Sequence, residues 1–166
     1  LADPVFVANG PLHFVLKGVE PGPADPPRQA MKSRLFTLEE ANRILPLVRS
    51  ITVEALSAYR RVKAAIAALE ALRARGVPGA DEYDVQRRDA EVADRLPDLQ
   101  RLVGELEALG CRLRDYERGS VDFPAALVGE RGFVVFCWAL GEPSVTHWHD
   151  EDEGFEARRT LSADAA

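Results

Sequence analysis

The chain has 166 residues, of which 46% are apolar and 29% charged, a composition typical of one globular domain with a sizeable core. Its formal net charge is -6, and its arginines alternate with acidic residues along helical segments, which argues against a nucleic-acid-binding surface. No apolar stretch reaches the ~20 residues of a membrane helix and no signal peptide is evident, so we expect a cytoplasmic protein with no membrane partner. Neither Cys111 nor Cys137 has metal-ribbon spacing, and we expect both thiols to be free.

Residues 1–30 differ in composition from the rest of the chain. Prolines from Pro4 to Pro27 exclude a continuous helix, and Leu12–Leu16 has the pattern of one short strand. Two interpretations stay open for this extension. Either Met31 is the natural start and residues 1–30 lie upstream of it, or they form a flexible arm.

A long amphipathic helix is predicted to begin after Thr37. Thr37 and Glu40 have the spacing of a capping box, in which each side chain bonds the backbone N–H of the other residue. Apolar residues then recur at steps of three and four from Ala41 to Leu69. Pro46 removes one backbone hydrogen bond, so we expect a kink or a split there.

A second helix is predicted from about Asp81 to Leu109. The turn Gly76–Gly79 precedes it, Pro97 interrupts its pattern, and Gly110 is placed to end it in the left-handed conformation. Two long helices with a short connection should pack antiparallel.

The remaining residues predict a small antiparallel sheet. Turns at Arg118-Gly119, Gly129–Gly132 and Leu140–Pro143 separate four extended segments, which are 111–114, 121–124, 133–138 and 145–149. Pro124 should end its strand or mark an edge. The fold class is therefore α+β, with a helical hairpin over 37–109 and a sheet over 111–149, in a single domain of residues 31–161 that is followed by a frayed tail at 162–166.

The segment Phe133–Trp138 is apolar on both faces. An exposed antiparallel sheet alternates apolar and polar residues, so both faces of this strand should be covered. The helical hairpin covers one face. The other needs the N-terminal arm, the C-terminal tail or a second copy of the chain, and we favour a homodimer because the helices offer more apolar surface than one small sheet buries.

Several sequence blocks form a recognisable set. They are Phe36–Asn42 with Leu45–Val48, Gly119 with Val121–Ala125, Cys137-Trp138 with Leu140–Glu142, and Trp148-His149, Asp152, Gly154-Phe155 and Arg158. With these blocks the chain resembles, over about residues 34–161, the bacterial family catalogued as "domain of unknown function 2203". The resemblance implies a small prokaryotic cytoplasmic protein with no established activity, and it supplies no catalytic residue.

A candidate metal site is centred on His147 and His149. Residues two apart on a strand share a face, and His-x-His is a common two-ligand arrangement for zinc or a similar divalent metal. Asp152, Glu142 or Asp122 would supply a third ligand. The alternative is that both histidines are half-buried polar residues at a subunit interface, bonded to nearby carboxylates.

The pairing of the last two strands determines what surrounds these histidines. If the hairpin is symmetric about its turn, His147 pairs with Phe136 and His149 pairs with Val134. Cys137 then faces away from both histidines, so we expect it to be a buried packing residue rather than a nucleophile.

Acid–base chemistry is a second candidate activity. Asp122, Glu142, His149 and Asp152 would converge at one end of the sheet, and a histidine oriented by a carboxylate is a competent general base. Arg158 is a candidate ligand for a carboxylate or phosphate; alternatively it pairs with the acidic run at 150–153 or with a partner chain.

The leading hypothesis from the sequence is a non-catalytic interaction or binding module that acts as a homodimer. The alternative is a small metal-dependent or acid–base enzyme, hydrolase-like, with its His/carboxylate cluster at the end of the sheet.

Overall fold

The computed structural model describes residues 34–74, 82–126 and 133–161. Some expectations concern residues outside these ranges: those for residues 1–30 and Met31, for the turns at 76–79 and 129–132, and for the tail at 162–166. The described residues form two α-helices, α1 (Leu38–Ala74) and α2 (Glu82–Ala108), then a five-stranded antiparallel sheet, with a short 3-10 helix at Phe155–Ala157 before its last strand. The predicted α+β class is confirmed.

Helix α1 begins at the predicted capping box. The Glu40 N–H donates to Thr37 Oγ1 at 3.1 Å, and the Thr37 N–H donates to Glu40 Oε2 at 2.9 Å. The helix continues through Pro46, so the predicted split is wrong. Loss of one backbone hydrogen bond is tolerated because Leu45 and Val48, on either side of the proline, are buried in the core.

The two helices form the predicted antiparallel hairpin. Arg73 in the last turn of α1 bonds Asp89 near the start of α2 at 3.1 Å, and the Phe36 ring, just before α1, packs on Gly110 at the end of α2. Gly110 has φ +90°, the left-handed conformation predicted for it. Helix α2 also continues through its proline, Pro97. None of the described helices is long and apolar enough to cross a membrane.

The sheet is a meander in which neighbours in sequence are neighbours in space. The strands are β1 (Arg112–Asp115), β2 (Ser120–Ala126), β3 (Phe133–Ala139), β4 (His147–Asp150) and β5 (Arg159–Thr160), in the order β1-β2-β3-β4-β5. The two-residue β5 is absent from the sequence prediction. Pro124 lies inside β2, beyond the last residue of β2 that pairs with β1, Asp122. Phe36 pairs with β2 there, and its N–H donates to the Pro124 carbonyl at 2.8 Å, a bond that needs no N–H from the proline.

One face of the sheet packs on the helices. This helix face carries the large apolar side chains of the core, which are Leu113, Val121, Phe123, Val134, Phe136, Trp138 and Trp148. The alternation of side chains along each strand puts a different set on the opposite face. We call it the polar face, and its residues include Arg112, Arg114, Asp122, Pro124, Val135, Cys137, His147 and His149.

The polar face is covered as well, as the apolar pattern of β3 predicted. Every residue of β3 after Phe133 is buried. The C-terminal segment Glu153–Arg158 reaches over this face, because Arg114 donates to the Glu153 carbonyl at 3.5 Å and Arg158 Nη1 bonds Glu142 Oε1 at 2.9 Å. The C-terminal segment of the same chain therefore covers part of the polar face. The sequence analysis had left this role to the N-terminal arm, the C-terminal tail or a second copy of the chain.

The predicted register of β3 and β4 is wrong by one residue. His147 pairs with Cys137 and His149 pairs with Val135, so Cys137 shares a face with both histidines. The cause is the connection between the strands, which is longer and less symmetric than a tight turn. The Val145 N–H donates to Asn42 Oδ1 on α1 at 2.8 Å, and this contact fixes where β4 begins.

Candidate functional site

Three side chains of different chemistry meet on the polar face. Asp122 and Cys137 lie directly opposite each other on β2 and β3, and His149 on β4 is diagonal to Cys137. One ligand atom from each residue lies within 4.8 Å of the other two. Each residue is only 1% exposed to solvent. We call these three residues the Asp–Cys–His cluster.

The backbone fixes the orientation of the His149 ring. His149 Nδ1 lies 2.8 Å from the Asp150 carbonyl oxygen, and since a carbonyl only accepts, Nδ1 carries a proton and donates it. Nε2 therefore points towards Asp122, and its distance to Oδ1 is 3.5 Å. The interaction with the Asp122 carboxylate raises the pKa of His149, against the opposing effect of burial.

Asp122 is the least satisfied group of the cluster. Its Oδ1 is buried and has no hydrogen-bond partner among the residues that the structure describes. The contact with His149 is longer than the 2.7–3.2 Å usual for N–H···O bonds, so it satisfies this oxygen poorly. The other oxygen, Oδ2, lies 3.9 Å from Arg114 Nη1. A buried carboxylate oxygen that is poorly satisfied is energetically costly.

Cys137 does not have the properties of an activated nucleophile. Burial, reinforced by the negative charge of Asp122, raises the pKa of its thiol to about 12. The thiol is therefore protonated at neutral pH. A cation placed between Cys137 and Asp122 would remove the repulsion between their negative charges and favour the thiolate.

The cluster has the ligand types of a zinc site, and the separation of His149 and Asp122 fits one. Ligand atoms about 2.0–2.1 Å from a tetrahedral zinc are separated from each other by about 3.3 Å, which is close to the 3.5 Å between His149 Nε2 and Asp122 Oδ1. Thiolate, imidazole and carboxylate are the protein ligands of zinc. Metal-binding histidines also donate their second ring N–H to a carbonyl or carboxylate, as His149 does.

Glu142 and Arg158 lie beside the cluster but are engaged with each other. Glu142 Oε2 accepts from the Ala139 N–H at 2.8 Å, and Oε1 accepts from Arg158 Nη1 at 2.9 Å. The Arg158 guanidinium also stacks on the Phe155 ring, 3.5 Å from its centroid. These contacts tie the C-terminal segment to the β3–β4 connection.

The remaining predicted site residues are less central. His147 is half-buried on the polar face, with Nδ1 3.0 Å from Thr146 Oγ1 and 3.9 Å from Glu142 Oε1. Asp152 is exposed in the turn after β4. The acidic run at 150–153 is paired by Arg159 rather than by Arg158, through Asp150 at 3.0 Å and Glu153 at 2.7 Å.

The structure thus brings together two of the four predicted acid–base residues, Asp122 and His149, and adds two that the sequence interpretation missed. Cys137 was excluded because of the wrong register, and Arg114 was overlooked in a short edge strand. Arg114 lies at an irregularity of the β1–β2 pairing, and its contact with Asp122 at 3.9 Å puts it on the polar face.

The model of one protein family, described as "Uncharacterized conserved protein (DUF2203)", matches residues 34–161. The chain belongs to this family. The region that matches DUF2203 contains the whole Asp–Cys–His cluster together with Arg114, Glu142 and Arg158. No curated protein and no solved structure matches the chain.

Proposed function

We propose that this chain is a metal-binding module that holds one divalent transition metal ion, with zinc as the best fit, on the polar face of its sheet. Asp122, Cys137 and His149 are the protein ligands. The observation that carries the proposal is the buried Asp122 Oδ1, which lies 3.5 Å from His149 Nε2 and has no hydrogen-bond partner in the described part of the chain. A zinc ion between these atoms satisfies both of them.

The proposal combines parts of both hypotheses from the sequence. Binding remains the leading function, and the metal ion comes from the enzymatic alternative. His149 is kept as a ligand. Its partners are now Cys137 and Asp122, whereas the sequence interpretation paired it with His147 and Asp152. The family match covers residues 34–161, which include all three proposed ligands, but the description of the family mentions no ligand.

A metal-dependent hydrolase-like activity is the second candidate. Structural zinc sites have four protein ligands, whereas catalytic sites keep three and leave one position for water or substrate. The cluster supplies three. A zinc ion here would lower the pKa of a bound water and so generate hydroxide near neutral pH.

The test is a zinc titration of the chelator-treated protein, with competition against a chromophoric chelator and with metal content measured after gel filtration. We expect one zinc ion per chain. Replacing a direct ligand, as in His149→Ala, Cys137→Ser or Asp122→Asn, should weaken binding by more than ~100-fold, since even outer-sphere partners are worth 10–100-fold.

His147→Ala is the matched control, because His147 is on the same strand and the same face but outside the cluster. It should bind zinc as the wild type does. Circular dichroism of each variant establishes that the fold is retained. Absence of stoichiometric zinc from the wild type would contradict the proposal, and loss of zinc from His147→Ala with retention in Cys137→Ser would restore the histidine pair predicted from the sequence.

A further inference from the structure

We infer that the fourth ligand of the metal is a small oxyanion, a carboxylate or phosphate group from solution, which Arg114 holds against the ion. This inference rests on the proposed metal site and names the class of ligand that the site would take.

The cluster leaves one coordination position to be filled. In the described part of the chain, the group of metal-ligating side chains that converge here has three members. Zinc in proteins takes four ligands or more. Glu142, a carboxylate near the cluster, already accepts from the Ala139 N–H with one oxygen and from Arg158 with the other. An exogenous group therefore completes the coordination.

The charge around the site favours an anion in that position. The Asp122 carboxylate and the Cys137 thiolate together neutralise a divalent ion. Arg158 is neutralised by Glu142 at 2.9 Å. Among the described residues Arg114 pairs with the carboxylate of Asp122 alone, at 3.9 Å, and the metal would take that carboxylate. Arg114 then presents a positive charge to the cluster with no carboxylate paired to it, and an anion in the fourth position would form a charge-assisted hydrogen bond with it.

Arg114 also has the geometry to bind such an anion. Among the described residues its two polar contacts are both long, 3.9 Å to Asp122 Oδ2 and 3.5 Å to the Glu153 carbonyl. Its side chain is 37% exposed, whereas Asp122 is buried, so the guanidinium connects the cluster to solvent at the β1 edge. A guanidinium binds carboxylate and phosphate oxygens in a bidentate fashion that lysine does not reproduce.

The experiment uses the full chain loaded with Co²⁺, whose visible absorption bands report on the coordination sphere. Cobalt is first titrated to establish stoichiometry, and inorganic phosphate and acetate are then titrated separately into the loaded protein. We expect either or both anions to change the cobalt spectrum with saturation, and the comparison of the two shows whether a phosphate or a carboxylate is preferred.

The Arg114→Gln variant should bind one cobalt ion but require roughly tenfold or more anion for the same spectral change, because it loses a charge-assisted hydrogen bond. Arg114→Lys keeps the positive charge but lacks the planar guanidinium, so the anion concentration that it requires should lie between those of the wild type and Arg114→Gln. The matched control is Arg118→Gln, which removes an equal charge from a residue that pairs with Glu156 at the surface.

Two failures are distinguishable. The inference would be overturned if the protein bound stoichiometric cobalt but neither anion changed its spectrum. It would also be overturned if Arg114→Gln bound the anion with wild-type affinity. Either result would leave the proposed metal site standing. Failure to bind cobalt or zinc would overturn both.

Discussion

Glu142 connects two parts of the sheet region through a single carboxylate. One oxygen accepts from the Ala139 N–H at the end of β3, and the other accepts from Arg158 in the C-terminal segment. The Glu142 and Arg158 side chains are only 24% and 16% exposed, so their charges are weakly screened. These contacts favour a structural role for Glu142, which the sequence interpretation placed among catalytic candidates.

Replacing Glu142 should therefore reduce stability without removing the metal. We expect Glu142→Ala to lower the free energy of unfolding by about 2–4 kcal/mol, because it leaves a buried N–H and a half-buried guanidinium without their acceptor. Glu142→Gln keeps an acceptor for the Ala139 N–H, so it should lower the free energy of unfolding by about half as much as Glu142→Ala. Urea denaturation measures both values. A Glu142→Gln variant that is stable but no longer binds zinc would show that Glu142 acts at the metal instead.

At the scale of elements, the helices were predictable because their information is local. The Thr37–Glu40 cap, the apolar spacing of α1 and the left-handed Gly110 are each specified within a few residues, and all three are confirmed. Continuity through Pro46 was not predictable in this way, because it depends on tertiary packing of the neighbouring turns.

The β3–β4 register was not predictable because it depends on a contact distant in sequence. Asn42 on α1 accepts from the Val145 N–H, 103 residues further along the chain, and so determines how the connection between the strands is laid out. A shift of one residue moves every side chain to the opposite face. This single error hid Cys137 from the candidate site, although the sequence had correctly put both histidines on one face.

At the scale of the whole molecule, the homodimer inferred from the sequence stays a prediction. The buried strand β3 is sealed within one chain, so it does not itself require a second copy. Apolar side chains that remain exposed at one end of the sheet, Leu35 at 40% and Phe133 at 53%, offer a surface for association.

Light scattering over a range of protein concentrations measures the mass in solution. A homodimer should give twice the chain mass of 18.2 kDa, and Phe133→Asp should shift it towards the monomer. Tyr83→Asp, which alters an exposed aromatic residue on α2, is the control and should leave the mass unchanged. A monomer mass for the wild type at high concentration would contradict the dimer.

The most direct test of the metal site is X-ray absorption at the zinc edge of the loaded, full-length protein, which identifies the ligand atoms. The Asp–Cys–His cluster predicts a shell with one sulfur at about 2.3 Å and nitrogen or oxygen ligands at about 2.0–2.1 Å. A shell made only of nitrogen and oxygen would contradict it, because Cys137 would then lie outside the coordination sphere.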